Sequence, residues 1–255
     1  RVRSLLEDGG ASLPDSLGAD VRQQRAELRR RLRRGQAVDW ALLEPLLRIA
    51  HDNDYRPPVH AHGTHVAGIL GGDWRNSDRD FTPNIDEDLQ GICPDIQLYD
   101  LRVLGDDGRG DEFYILAALQ FVRYLNSHSR RPLIQGVNMS LSIPHDVSNF
   151  ACGRTPVCEE AVRVHASGVL VVAAAGNEGY VHYLTTTGET EAYQNISITD
   201  PGNAEDVLTV GPTHRRRPHT YGVSYFSSRG PTGDGRLKPD LVAPGEKILA
   251  PIPGG

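Results

Sequence analysis

The sequence has little cysteine, no excess of positive charge and no long apolar run, and each shortage removes a class of protein. Three cysteines, an odd number, make no disulfide framework. Cys152 and Cys158 bracket a short loop (CGRTPVC), for which a bridge and two free thiols both stay open. The net charge of -6 argues against a nucleic-acid partner for the chain as a whole. No stretch approaches the roughly 18 apolar residues that a membrane-spanning helix needs, so no membrane partner is expected. No signal peptide is visible, and the chain opens on Arg1 rather than Met, so the natural start is expected upstream. There is no internal repeat. What is present is ordinary for a soluble globular protein: 255 residues, 38% hydrophobic and 24% charged, enough for one large domain or two small ones. With 27 Gly and 17 Pro, tight turns are many, which suits a loop-rich α/β enzyme better than a helical bundle.

Residues 1–60 differ in character from the rest. Residues 20–34 are helix-prone and arginine-rich, with Arg29, Arg30, Arg31, Arg33 and Arg34 in one run. A solvated helix surface accounts for that run, and an acidic or nucleic-acid partner is the sharper alternative. Val38, Ala41, Leu42, Leu46, Ile49 and Ala50 then fall on one helical face, which Pro45 is expected to kink or divide. These residues read as a helical insertion or N-terminal extension, and residues 61–255 as the main domain.

From residue 61 onward strand-like and helix-like stretches alternate. Residues 97–103, 133–140, 168–175 and 207–210 read as strands, and residues 112–126 and 157–167 as helices. In the first helix Phe113, Leu116, Ala117, Phe121, Tyr124 and Leu125 form the expected apolar face. The run GVLVVAAA at 168–175 predicts a strand buried on both faces. Such alternation predicts an α/β fold, three-layered, with a mostly parallel central sheet flanked by helices. In that architecture ligands bind beyond the carboxyl ends of the strands, which points to the turns after Val103, Met139 and Ala175.

Those turns, and one helix start, carry the chemistry. His60-Ala61-His62-Gly63-Thr64-His65-Val66-Ala67-Gly68 resembles the histidine motif of the subtilase family, complete from His62 to Gly68. Ala173-Ala174-Ala175-Gly176-Asn177-Glu178-Gly179 resembles the same family's asparagine motif. Residues 104–110 (LGDDGRG) resemble its edge segment, and residues 138–142 (NMSLS) the strand beside its specificity pocket. Residues 226–231 (FSSRGP) and 238–245 (KPDLVAPG) resemble the run-up to its serine. The resemblance spans about residues 61–255 and implies a serine endopeptidase with a subtilisin-like fold. It implies His62 as general base and Asn177 as side-chain donor to the oxyanion. It also implies a polypeptide substrate lying extended between Gly108, Arg109, Gly110 on one side and Ser140, Leu141, Ser142 on the other. The family usually has Gly where this chain has Ser142, so a narrowed pocket is expected. Read without the resemblance, a histidine is more often a structural residue, and Asn177 reads as a turn asparagine in the left-handed region.

Two members of the triad are not where the pattern puts them. The family serine sits in Gly-Thr-Ser-Met-Ala, which does not occur here, and Ser227 and Ser228 belong to another motif. No upstream aspartate among Asp8, Asp15, Asp20, Asp39, Asp52 and Asp54 closes a strand as Asp-Ser/Thr-Gly; Asp8 comes nearest. The expectation is a fragment that lacks both and is inactive alone. The chemistry needs no cofactor. The resemblance allows a structural calcium, but Asp73, Asp78, Asp80, Asp86, Glu87 and Asp88 show no ligand spacing and read as a solvated acidic loop. It also admits a propeptide or inhibitor as partner and, by itself, favours secretion; otherwise the compartment stays open. Asn195-Ile196-Ser197 is a glycosylation sequon by pattern only. Two rivals stand beside the protease: a degenerate, non-catalytic binding module, and a zinc hydrolase using His60, His62 and His65, though Thr64 stands where such enzymes have Asp.

Overall fold

The computed structural model describes residues 19–49, 51, 53, 55, 57–74 and 89–253. The chain divides into two compact units, Arg1–Pro57 and Pro58–Gly255. In the first, α1 (Ala19–Arg33) and α2 (Trp40–Leu47) bury Leu28, Leu43 and Leu46 together. Asp39 starts α2 by accepting from the Ala41 N–H at 3.1 Å, and its other oxygen pairs with Arg31. Pro45 does not divide α2 but lies inside its last turn, and the helix ends at Leu47. The predicted face is therefore shorter than expected: Val38 and Ile49 lie outside the helix and are exposed. Asp8, Asp15, Asp52 and Asp54 lie outside the described residues, as does the acidic loop beyond Trp74 up to Asp88.

The second unit is built on four parallel strands in the order β3-β4-β7-β8: β3 (Gly136–Met139), β4 (Leu170–Ala174), β7 (Leu208–His214) and β8 (Leu241–Glu246). Two antiparallel pairs stand apart from this sheet: β1 (Asp73–Trp74) with β2 (Leu89–Gln90), and the hairpin β5 (Tyr180–Thr185) with β6 (Gly188–Tyr193). The helices are α3 (Ala61–Gly71), α4 (Glu112–Ser127), α5 (Pro156–Ala166) and the single turn α6 (Pro218–Tyr221). Asp111 caps α4 by accepting from the Phe113 N–H at 2.8 Å, and α5 opens on Pro156, whose missing N–H costs nothing in the first turn.

α4 and α5 pack on each other, and α5 on β4, to form the core. The stripe of α4 that enters it is Ile115, Leu119 and Val122, spaced i, i+4, i+7. The predicted face is rotated from this one: Phe113 is exposed, while Leu116 and Leu125 sit at the margin. The helix is apolar on more than half its circumference, so periodicity alone could not choose the side. β4 alternates likewise: Val171 and Ala173 are buried, but Leu170 is half exposed, so the strand is buried fully on one face rather than two. Residues 97–103 form no ladder. Leu101 and Val103 pack on the core from a segment that has no strand partner among the described residues.

The thiols of Cys152 and Cys158 are both free. Burial pushes Cys158 up to about 12, and the Asp200 carboxylate adds to it, so this thiol stays protonated and inert. Glu160, almost fully buried on α5, is held by Arg123 at 2.8 Å and Arg163 at 3.0 Å. Lys238 is buried too. Its Nζ donates to the Val207 carbonyl and to Asp240 Oδ2, both at 2.6 Å, and the same carboxylate oxygen accepts from the Thr209 N–H at 2.7 Å. This pair fixes the start of β8 against β7.

Candidate active site

α3 begins with histidines doing different jobs. His60 is the N-cap, its Nδ1 accepting from the His62 N–H at 3.3 Å. His62 stands exposed in the first turn, with Nε2 2.6 Å from the Ser140 carbonyl oxygen. A carbonyl only accepts, so in this contact Nε2 is the donor. His65, on the following turn, directs Nε2 to the Ile248 carbonyl at 3.2 Å. The three rings thus serve three separate partners. Among the described residues no group of three or more His, Cys, Asp or Glu side chains could hold a metal.

The turn predicted to form one wall folds on itself: the Gly105 N–H donates to the Arg109 carbonyl at 2.8 Å, and the Gly108 N–H to the Gly105 carbonyl at 3.0 Å. Gly108 has φ +72°, and a Cβ there would meet His60 Nε2 at 2.8 Å. This turn therefore sits against the histidine motif, with Arg109 and Gly110 exposed beside it. The opposite wall continues β3. Ser140 is half-buried and its Oγ accepts from Asn138 Nδ2 at 2.9 Å; Leu141 packs on the core; Ser142 is exposed.

Asn177 follows the neighbouring strand. β3 and β4 run parallel with Met139 level with Ala173, so Ser140–Ser142 and the Gly176–Gly179 turn leave the same edge of the sheet. The turn's backbone is tied on both sides. The Ala175 carbonyl accepts from the Thr199 N–H at 3.0 Å, and the Gly176 carbonyl from the Ser228 N–H at 3.0 Å. The Glu178 N–H donates to Ser228 Oγ at 3.0 Å, and the Gly179 N–H to the Phe226 carbonyl at 3.0 Å. The left-handed residue here is Gly176, φ +107°, and not Asn177, so the turn-asparagine reading fails at that point. The Asn177 side chain is exposed and has no protein hydrogen-bond partner among the described residues.

Sequence reasoning excluded Ser227 and Ser228 as nucleophiles but gave them no partner; both are buried, at 0% and 1% exposure. It passed over Thr199 and Asp200 altogether. Asp200 is 1% exposed, its oxygens accepting from Thr155 Oγ1 at 2.7 Å and Asn203 Nδ2 at 2.8 Å. Its backbone exchanges hydrogen bonds with Ile143, directly after Ser142. No local pattern announces these residues, because each acts on a segment far away in the chain.

A parallel sheet with helices packed on it, and with polar turns gathered at its carboxyl edge, defines an α/β fold of three-layer type. Comparison with known proteins gives the family. Residues 48–254 match the subtilase family of S8 peptidases, and the chain belongs to that family. It is 28% identical over 238 residues to pyrolysin of Pyrococcus furiosus, covering 76% of this chain and 15% of that protein. It is 27% identical over 196 residues to the serine protease AprX of Bacillus subtilis (75% and 39%). An intracellular serine protease of Paenibacillus polymyxa is 30% identical over 197 residues (77% and 47%). The chain therefore spans less than half the length of these relatives. Among solved structures, sphericase superposes with a TM-score of 0.59 over 81% of this chain and 60% of its own, at 23% identity, which speaks for the fold alone.

Proposed function

We propose that this chain is the larger part of the catalytic domain of a serine endopeptidase, acting on a polypeptide bound extended across the carboxyl edge of β3 and β4. The observation that carries this reading is the contact of His62 with the Ser140 carbonyl. It joins a base candidate to a pocket-wall candidate 78 residues away in the chain, in a family two of whose relatives named above are serine proteases. His62 would take the proton of a serine hydroxyl as its oxygen attacks the substrate carbonyl, then return that proton to the leaving amine. Asn177 would donate to the oxygen on which charge builds. For the first step Nε2 must be the basic nitrogen, so the ring has to leave the Ser140 carbonyl or move its proton to Nδ1, which an orienting carboxylate favours. The nucleophile and that carboxylate are proposed to lie outside these 255 residues.

The test uses the full-length protein with a serine-directed fluorophosphonate. Labelling is expected, and His62→Ala should abolish it; labelling that survives the substitution removes His62 from the mechanism. If the open reading frame beyond Gly255 carries no Gly-Thr-Ser, the non-catalytic module takes precedence. Stoichiometric zinc in the purified protein would favour the metal hydrolase, a reading the three divergent histidine contacts do not support.

A further inference from the structure

Two groups flank Asn177 in the chain, the Gly176 carbonyl and the Glu178 N–H, and both bond to one residue, Ser228, from a segment 50 positions downstream. An ideal Cβ on Gly176 would lie 2.7 Å from Ser228 Oγ. The hydroxyl is therefore wedged under the turn, on the side away from solvent, at 1% exposure. A second brace comes from Thr199, whose N–H and Oγ1 both reach the Ala175 carbonyl, at 3.0 and 3.3 Å. The two braces are themselves joined: the Ser197 N–H donates to the Arg229 carbonyl, and the Arg229 N–H to Ser197 Oγ, both at 2.9 Å. An exposed side chain with no partner of its own among the described residues thus projects from a turn whose backbone is held on both sides of it, at Ala175 and Gly176 and at Glu178 and Gly179.

We infer that Ser228 is a positioning residue for Asn177: its hydroxyl, through the Glu178 N–H, holds the turn so that the amide stands ready as a hydrogen-bond donor. This rests on the reading of Asn177 given above. A donor aimed in advance stabilises developing charge without reorganising when the reaction occurs. Without the Ser228 hydroxyl the Glu178 N–H loses its acceptor, and the turn can relax toward water. The Gly176 carbonyl keeps its bond to the Ser228 backbone, so the fold of the turn survives. What is lost is its register.

The experiment is a double-mutant cycle in the full-length enzyme, read in kcat and KM on a peptide substrate. Ser228→Ala should lower kcat about five- to tenfold, the scale of one buried hydrogen bond, with KM unchanged. In an Asn177→Ala background the same change should have almost no further effect on kcat, because the group it positions is gone. Additive losses, or a rise in KM with kcat intact, would show Ser228 to be merely structural and overturn the inference. If Asn177→Ala alone leaves kcat unchanged, it is the reading of Asn177 that fails. A measurement independent of activity and of any variant is amide hydrogen exchange at Glu178. The residue is exposed, yet its N–H should exchange slowly because Ser228 accepts it; fast exchange sinks the proposal even if Ser228→Ala proves unable to fold.

Discussion

In the proposed role of oxyanion donor, Asn177 acts only where charge appears, and its value depends on geometry more than on strength. Asn177→Ala in the full-length enzyme is expected to lower kcat by about a hundred- to a thousandfold with little change in KM, a magnitude carried over from a subtilisin rather than derived from this structure. Single-turnover kinetics would check it, and a loss confined to KM would assign the side chain to ground-state binding instead. Lys238 and Asp240 carry a second prediction at the same scale. Burial pushes the Asp240 carboxyl up, but the Lys238 ammonium and the Thr209 N–H outweigh it and hold it below the ordinary carboxylate range. A folded value below the unfolded one means that the stabilisation is complete at neutral pH and is lost as pH falls below about 4. Asp240→Asn should cost about 1–3 kcal/mol at pH 6, less than breaking a fully buried pair because a third of that carboxylate meets solvent. The difference in Tm between variant and parent should shrink below pH 4. A difference independent of pH would mean that the ion pair contributes nothing.

At the scale of elements, α4 offers a test of which stripe is the core. Leu119 is 2% exposed and Phe113 is 47% exposed, although both are large and apolar. Leu119→Ala should destabilise by about 2–5 kcal/mol through lost burial and the cavity left behind. Phe113→Ala should change stability by about 0.5 kcal/mol or less, as an exposed position does. Denaturant midpoints measure both, and equal losses would restore the rotated face that periodicity suggested. The hairpin β5–β6 escaped the reading of the sequence for a related reason. Among the described residues its strands pair only with each other, and His182, Leu184 and Glu191 face solvent, so no alternating apolar face marks it. Its base is secured instead by rings, with Tyr180 edge-on to Tyr193 and Tyr225, and the Arg229 guanidinium 4.0 Å over Tyr193.

For the whole molecule, the two buried clusters share no residue: Leu28, Leu43 and Leu46 form one, and the α4–α5–β4 core forms the other. Removing residues 1–57 should therefore leave the second unit with its cooperative unfolding transition and its far-UV circular dichroism. Loss of the transition would show that the larger core depends on the helical segment. Much about this protein was fixed by local chemistry and could be read in advance. The alternation of strands and helices follows from periodicity, and the family from contiguous motifs around His62 and Asn177. The Gly-rich turn at 105–110 was visible because its glycines are spaced for tight bends. Tertiary structure alone decided which side of α4 is buried, because an apolar surface broader than one stripe is indifferent until a neighbour packs on it. It alone set Ser140 against His62 and Ser228 beneath Asn177. Those contacts join segments tens of residues apart, and a hydroxyl or a carbonyl in the sequence carries no mark of the distant group with which folding will pair it.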